Sequence, residues 1–250
     1  IVGSPPDPSG SSSATFDFTS NEPLATFECR VDGAAWATCS NPATFNGLTD
    51  ATHTLDVRAR DLAGNADQTP ASYTWLVDTA PPDTSIVSGP PAQTSDVNAT
   101  FLFSATEGGG SYECSLDGAS YDPCTNPVTF GPFADGAHTL NVRAVDTAGN
   151  ADPTPASSAW TVDTVAPDTG VVSGPPSVTN SASADFTFMS NEGGATFECS
   201  VDFGAWAACS NPVTVGPLAD GAHRLDVRAK DGAGNIDATP ATYTWTIDSA

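Results

Sequence analysis

The chain has 250 residues, with 30 Asp and Glu against seven Lys and Arg and a formal net charge of −23 at pH 7. Such a balance lacks the basic footprint that nucleic acid needs, and it is repelled by an anionic membrane surface. No run approaches the roughly 18 consecutive apolar residues of a membrane span, so the expectation is a self-repelling chain without direct membrane insertion, salt-adapted or cation-binding.

A fixed period organises everything else. Cys29, Cys114 and Cys199 are spaced by 85 residues, and so are Cys39, Cys124 and Cys209, His53, His138 and His223, and Trp75, Trp160 and Trp245. Matched chemistry at a constant interval marks a tandem array of one folding unit. The expected domains are 1–80, 81–165 and 166–250, each large enough for a modest core. The third copy ends at Ala250, in what is linker after the first copy, as expected of an excerpt from a longer array. The residues from Ile1 onward carry no signal-peptide pattern, as expected of a mature or excised segment.

In chain order, each unit opens with alternating Phe residues: Phe16 and Phe18, then Phe101 and Phe103, then Phe186 and Phe188. Next comes Phe27-x-Cys29-x-Val31, recurring around Cys114 and Cys199. Leu55-x-Val57-x-Ala59 follows, then Tyr73-x-Trp75-x-Val77. Period-two alternation with Gly, Pro, Asn and Asp between the runs predicts short strands and no helix. The expected fold class is all-β, a β-sandwich per unit.

Six Cys in three equally spaced pairs, with none left over, predict disulfides Cys29–Cys39, Cys114–Cys124 and Cys199–Cys209 and an oxidising, extracellular location. Zinc is the competing reading, but two thiolates and one His per unit make a poor tetrahedral set. Asp32-Gly33 is a hairpin turn, and the pair is symmetric about residue 34, so a hairpin folded there sets the two Cys directly opposite each other. A loop that short stabilises by roughly 2–3 kcal/mol. Pro123, beside Cys124, marks the second arm as an edge strand.

The run from Leu48 through His53 and Arg58 to Asp61-Leu-Ala-Gly-Asn65 recurs from Phe133 to Asn150 and from Leu218 to Asn235. With the linker Val77-Asp-Thr-Ala-Pro-Pro-Asp83-Thr, it resembles bacterial immunoglobulin-like repeats of the wider immunoglobulin and fibronectin type III group. The resemblance implies tandem sandwiches in a large secreted or cell-surface protein. It implies no particular ligand.

The repeated His sits where the related pattern has a corner Tyr, so a structural corner is the plain reading and a metal ligand or base the functional one. No Ser or Cys nucleophile recurs beside it, so no enzyme is expected. The Asp-x-Ala-Gly-Asn segment reads either as a tight turn or as an oxygen-rich calcium loop. In an immunoglobulin-type sandwich the domain start, the loop between the second and third strands and the last hairpin loop share one end. At one joint that gathers Asp78, Asp83, Glu107, Asp146, Asn150 and Asp152. At the other it gathers Asp163, Asp168, Glu192, Asp231, Asn235 and Asp237. Ca²⁺ between domains is the expected cofactor, against carboxylates splayed into water.

Trp36, Tyr121 and Trp206 recur on the Cys hairpin, with parity opposite to the Cys. They read as hairpin-covering aromatics or as ligand-binding platforms for sugar rings or a neighbouring chain. The Pro-containing linkers stiffen the connection and favour an elongated array. The expected function is an extracellular structural or adhesive module, a stalk or filament-forming segment whose partners are its own copies or neighbouring surface components. The alternatives are carbohydrate-binding repeats, or spacer modules of a larger secreted enzyme.

Overall fold

Alternation becomes strand along the whole chain. The computed structural model describes all residues, Ile1–Ala250, and every regular element is a strand. The first six are β1 (Ala14–Phe16), β2 (Thr26–Val31), β3 (Ala37–Cys39), β4 (Ala43–Phe45), β5 (Ala51–Arg60) and β6 (Ala71–Val77). Then come β7 (Thr84–Ser88), β8 (Gln93–Thr94), β9 (Ala99–Ala105), β10 (Ser111–Leu116), β11 (Asp122–Cys124), β12 (Val128–Phe130), β13 (Gly136–Val145) and β14 (Ala156–Val162). The last eight are β15 (Thr169–Ser173), β16 (Val178–Thr179), β17 (Ala184–Ser190), β18 (Thr196–Val201), β19 (Ala207–Cys209), β20 (Val213–Val215), β21 (Gly221–Lys230) and β22 (Ala241–Ile247).

The chain divides into two compact units. One comprises Ile1–Val87, Leu102–Val128 and Leu140–Ser158, the other Ser88–Phe101, Thr129–Thr139 and Ala159–Ala250. In the first unit β3-β2-β5-β6 form one sheet and β1-β4 another. Their inner faces share a core of Phe16, Phe18, Cys29, Leu55, Val57, Trp75 and Val77. Burying a side chain such as Leu55 contributes about 1.5–3 kcal/mol. In the same unit β10 pairs with β11 and with β13. In the second unit β16-β22-β21-β18-β19 face β15-β17-β20 over Phe186, Phe188, Leu225, Val227, Trp245 and Ile247.

The opening segment of the third copy crosses from sheet to sheet. β15 pairs antiparallel with β17, and β16 then pairs parallel with β22. Between them lies Gly174-Pro175-Pro176, where proline cannot donate a ladder bond. A Cβ at Gly174 would meet Phe186 and Tyr243 at 2.9 Å, so only glycine lets the backbone pass this close. The Tyr243 hydroxyl donates to the Pro175 carbonyl and pins the crossing.

A repeated asparagine clamps each opening strand to the loop beside it. The Phe18 N–H donates to Asn41 Oδ1 at 3.0 Å, and Asn41 Nδ2 donates to the Phe18 carbonyl at 2.8 Å. Asn126 with Phe103 and Asn211 with Phe188 repeat both bonds.

Candidate functional sites

The cysteine pairs are disulfides, with Cα separations of 5.7, 5.8 and 5.8 Å and no free thiol. The symmetric hairpin needs correction. Cys29 stands opposite Ala37 and Cys39 opposite Phe27, so the two are not directly opposed. The reason lies in the turn: Asp32 and Gly33 both take positive φ, 54° and 72°, and the Ala34 N–H closes on the Val31 carbonyl at 3.0 Å. That tight turn sets the register before residue 34 is reached. The second arm is an edge strand, since β3 and β19 lie at the ends of their sheets.

The repeated histidine builds a corner. His53 Nε2 lies 2.8 Å from the Thr49 carbonyl and Nδ1 lies 2.7 Å from Asp32 Oδ2. His223 does the same with Ala219 and Asp202, at 2.8 and 2.9 Å. His138 Nε2 lies 3.0 Å from the Ala134 carbonyl. Each ring lies 5.6–5.7 Å from the buried Trp75, Trp160 or Trp245. The Asp32 hydrogen bond, then the Thr49 carbonyl, hold the His53 pKa above its ordinary value. Burial pushes the Asp32 carboxyl up, but bonds from His53 and from the Thr54 N–H outweigh it and leave the pKa lowered.

The Asp-x-Ala-Gly-Asn loops are tight turns in their own right. The Asn150 N–H and Nδ2 donate to the two Asp146 oxygens at 2.8 and 2.7 Å. Asn150 Nδ2 also donates to the Asp78 carbonyl at 2.7 Å, tying the segment after β6 to this loop. Asn235, Asp231 and Asp163 repeat the arrangement.

Three of the six acidic-site residues converge at each place. Carboxylate oxygens of Asp78, Glu107 and Asp146 lie within 4.8 Å of one another, as do those of Asp163, Glu192 and Asp231. A Ca²⁺ ion with ligands at about 2.3–2.6 Å holds oxygens up to about twice that distance apart, so an all-carboxylate trio of this span fits that ion. Glu107 is pushed above the ordinary carboxylate value by burial, then by the charges of Asp78 and Asp146. Glu192 is raised likewise by burial, Asp163 and Asp231. All six arginines pair with other carboxylates.

The other expected ligands sit elsewhere. Asp152 is 1% exposed, and its oxygens accept from the Thr84 N–H and from the Thr154 N–H and hydroxyl. Thr84 Oγ1 accepts from the Ala144 N–H at 2.8 Å. Asp237, Thr169 and Ala229 repeat this buried latch. Asp83 and Asp168 are exposed and engage loops by backbone, each N–H donating to the side chain of Thr106 or Asn191. Asn150 and Asn235, by contrast, stay beside the trios, each donating from Nδ2 to a trio aspartate and to the Asp78 or Asp163 carbonyl.

The hairpin aromatics are half-buried on the outer face. The guanidinium of Arg58 lies 4.3 Å from the Trp36 ring centre, Arg143 lies 4.3 Å from Tyr121 and Arg228 lies 4.3 Å from Trp206. Each arginine stands directly opposite a glutamate, Glu28, Glu113 or Glu198, and pairs with it at 2.7 Å. One ring face is therefore already covered by a cation. The sequence held this ladder: of seven basic residues, three keep the 85-residue interval.

Sandwich sheets with crossing opening strands, a locked corner and a stapled edge hairpin give an all-β chain with an immunoglobulin-like, fibronectin type III-like sandwich fold. No model of a known protein family matches it. It is similar to Exoglucanase B of Cellulomonas fimi, 32% identical over 228 residues, covering 81% of this chain and 21% of that protein. The chain thus spans about a fifth of the curated relative's length. It is similar in structure to the fibronectin(III)-like modules of Clostridium thermocellum CbhA, at 16% identity and TM-score 0.44, over 66% of this chain and 94% of that one. It is similar too to a Ca²⁺-stabilised, ice-binding adhesin of an Antarctic bacterium, at 20% identity and TM-score 0.38, over 94% of this chain and 68% of that one.

Proposed function

We propose that the chain is a non-catalytic, extracellular structural segment. In this reading 1–80, 81–165 and 166–250 each fold as one disulfide-stapled sandwich, and the three form an elongated stalk or filament element. Ca²⁺ at Asp78, Glu107 and Asp146, and at Asp163, Glu192 and Asp231, stiffens the connections. The single observation that carries the reading is the use of the repeated polar groups. Cysteines are bridged, both ring nitrogens of His53 and His223 meet acceptors, Asp152 and Asp237 latch backbone, and arginines pair with glutamates. These polar groups, recurring from copy to copy, are committed to holding the fold. Disulfides agree with an oxidising compartment, and partners in this reading are further copies or neighbouring surface components.

A second reading is favoured by the 32% identity with a stretch of Exoglucanase B: the same repeats act as spacers within a larger secreted enzyme. The mechanism is shared and the cargo differs, so the flanking sequence separates the two. Small-angle scattering of the oxidised chain tests the common element. A radius of gyration well above the roughly 18 Å of a single globule of this length, tightening in calcium, is expected. A value near that of one globule, unchanged by calcium or chelator, overturns the stalk.

A further inference from the structure

The third copy departs from the other two at two positions that touch. Residues 33 and 118 are glycine, and their counterpart is Phe203. Residues 54 and 139 are threonine, and their counterpart is Arg224. The Arg224 guanidinium lies 4.9 Å from the Phe203 ring centre. It is fixed there by paired bonds to Asp226 at 2.8 and 2.7 Å.

Phe203 occupies the second central position of the hairpin turn with φ 62°, a left-handed conformation that a bulky side chain resists. A Cβ at Gly33 or Gly118 would meet nothing within 4 Å. The turn therefore admits a side chain, and only the backbone opposes it. Nor does the ring gain burial in return: it is 78% exposed. Leu24 shares the positive φ and the exposure, at 63° and 79%, but Phe203 alone sets an aromatic ring against an arginine there.

The ring borders a groove of about 690 Å³ lined also by Asp202, His223, Arg224, Thr244 and Thr246. Its charges are closed in pairs. Asp202 Oδ2 lies 2.9 Å from His223 Nδ1, and Arg224 is matched by Asp226. No uncompensated charge is left to select an ionic ligand. What faces outward is an aromatic ring against a guanidinium, beside threonine hydroxyls. Pyranose rings are complementary to such a surface, with an apolar C–H face to stack and a rim of hydroxyls to hydrogen-bond.

We infer that this groove of the third copy binds a neutral polysaccharide, with Phe203 as the stacking platform and Arg224 as the residue that holds it in place. The inference goes beyond the structural role above, which stands whether or not the groove binds sugar.

The oxidised 250-residue chain is titrated with cellohexaose, xylohexaose, mannohexaose and chitohexaose, following backbone amide NMR shifts. At least one saccharide is expected to shift resonances around residues 202–204 and 222–246. Phe203→Gly, which restores the residue of the other two copies, is expected to weaken binding about tenfold or more while leaving the melting temperature unchanged or higher. Arg224→Thr is expected to weaken it less, and Trp36→Ala not at all. Absence of binding by all four saccharides up to about 10 mM, where Kd in the millimolar range is still visible, overturns the proposal. So does binding that Phe203→Gly leaves intact, and both outcomes would leave Phe203 as an anchor for a protein partner.

Discussion

His53 Nδ1 lies 2.7 Å from Asp32 Oδ2 while its Nε2 lies 2.8 Å from the Thr49 carbonyl. Both neighbours only accept, so both ring nitrogens must donate, and the bonded ring is an imidazolium. Its folded pKa stands above the ordinary 6.5, which fixes the sign of the pH dependence. The stabilisation is fully present below the unfolded value near 6.5 and is lost as pH rises through the folded value. Asp32, lowered from 3.8, adds stability above that value that is lost as pH falls through its folded pKa. Thermal melting from pH 4 to 9 is therefore expected to decline above about pH 6.5 in the native chain. His53→Gln is expected to flatten that decline and to cost roughly 1.5–3 kcal/mol near pH 6. An equal slope in both proteins would remove the imidazolium.

The disulfides close the Cys29–Cys39 hairpin and its two counterparts at a sheet edge, where only one neighbour strand holds the outer arm. Three residues of ladder cannot keep so short a strand alone. Replacing Cys29 and Cys39 together by Ser is expected to cost about 2–3 kcal/mol in denaturant unfolding. Hydrogen exchange should rise first at 37–39, the short outer arm. Exchange rising equally through β5 and β6 would mean that the staple supports the sandwich and not its edge.

The period, the strand pattern and the cysteine pairing are open to reading because alternation and spacing depend on neighbours in sequence. Register was not, because Asp32 and Gly33 close their turn by backbone conformation and shift the ladder off its apparent centre. The acidic sites were half legible. Topology brings Asp78, Glu107 and Asp146 together, but Asp152 is drawn inward by Thr84, a contact across 68 residues that no local pattern carries. The Arg58–Glu28 pair is visible in the period, since both residues recur at 85-residue intervals. Phe203 and Arg224 stand out only where the copies are compared for their differences.

The bonds that hold the Asp152 carboxylate can be separated by substitution. Asp152 accepts from the Thr84 N–H inside the fold and from the Thr154 N–H and hydroxyl. Asp152→Ala strands a buried N–H and the groups it held, and is expected to cost roughly 2–3 kcal/mol. Thr154→Val removes only the hydroxyl donor and is expected to cost about 1 kcal/mol or less. Comparable losses from the two would show that the bond to Thr154, not the latch to Thr84, sets the worth of this carboxylate.

Glu107 supplies a test whose sign reverses with calcium. Burial and the charges of Asp78 and Asp146 raise its pKa in the folded chain, so its ionised form opposes folding at neutral pH, and that opposition fades as pH falls through the raised value. Without a cation, Glu107→Gln removes a repulsion and should raise the melting temperature in chelator. With Ca²⁺ held by the same trio, the substitution removes a ligand charge and should lower it relative to the native chain in millimolar calcium. Glu192→Gln should repeat both shifts through Asp163 and Asp231, and Glu22→Gln, in the first copy, should show neither. Melting curves in calcium and in chelator read all four proteins, and a shift of the same sign in both solutions for Glu107→Gln would mean that the trio repels without ever binding the ion.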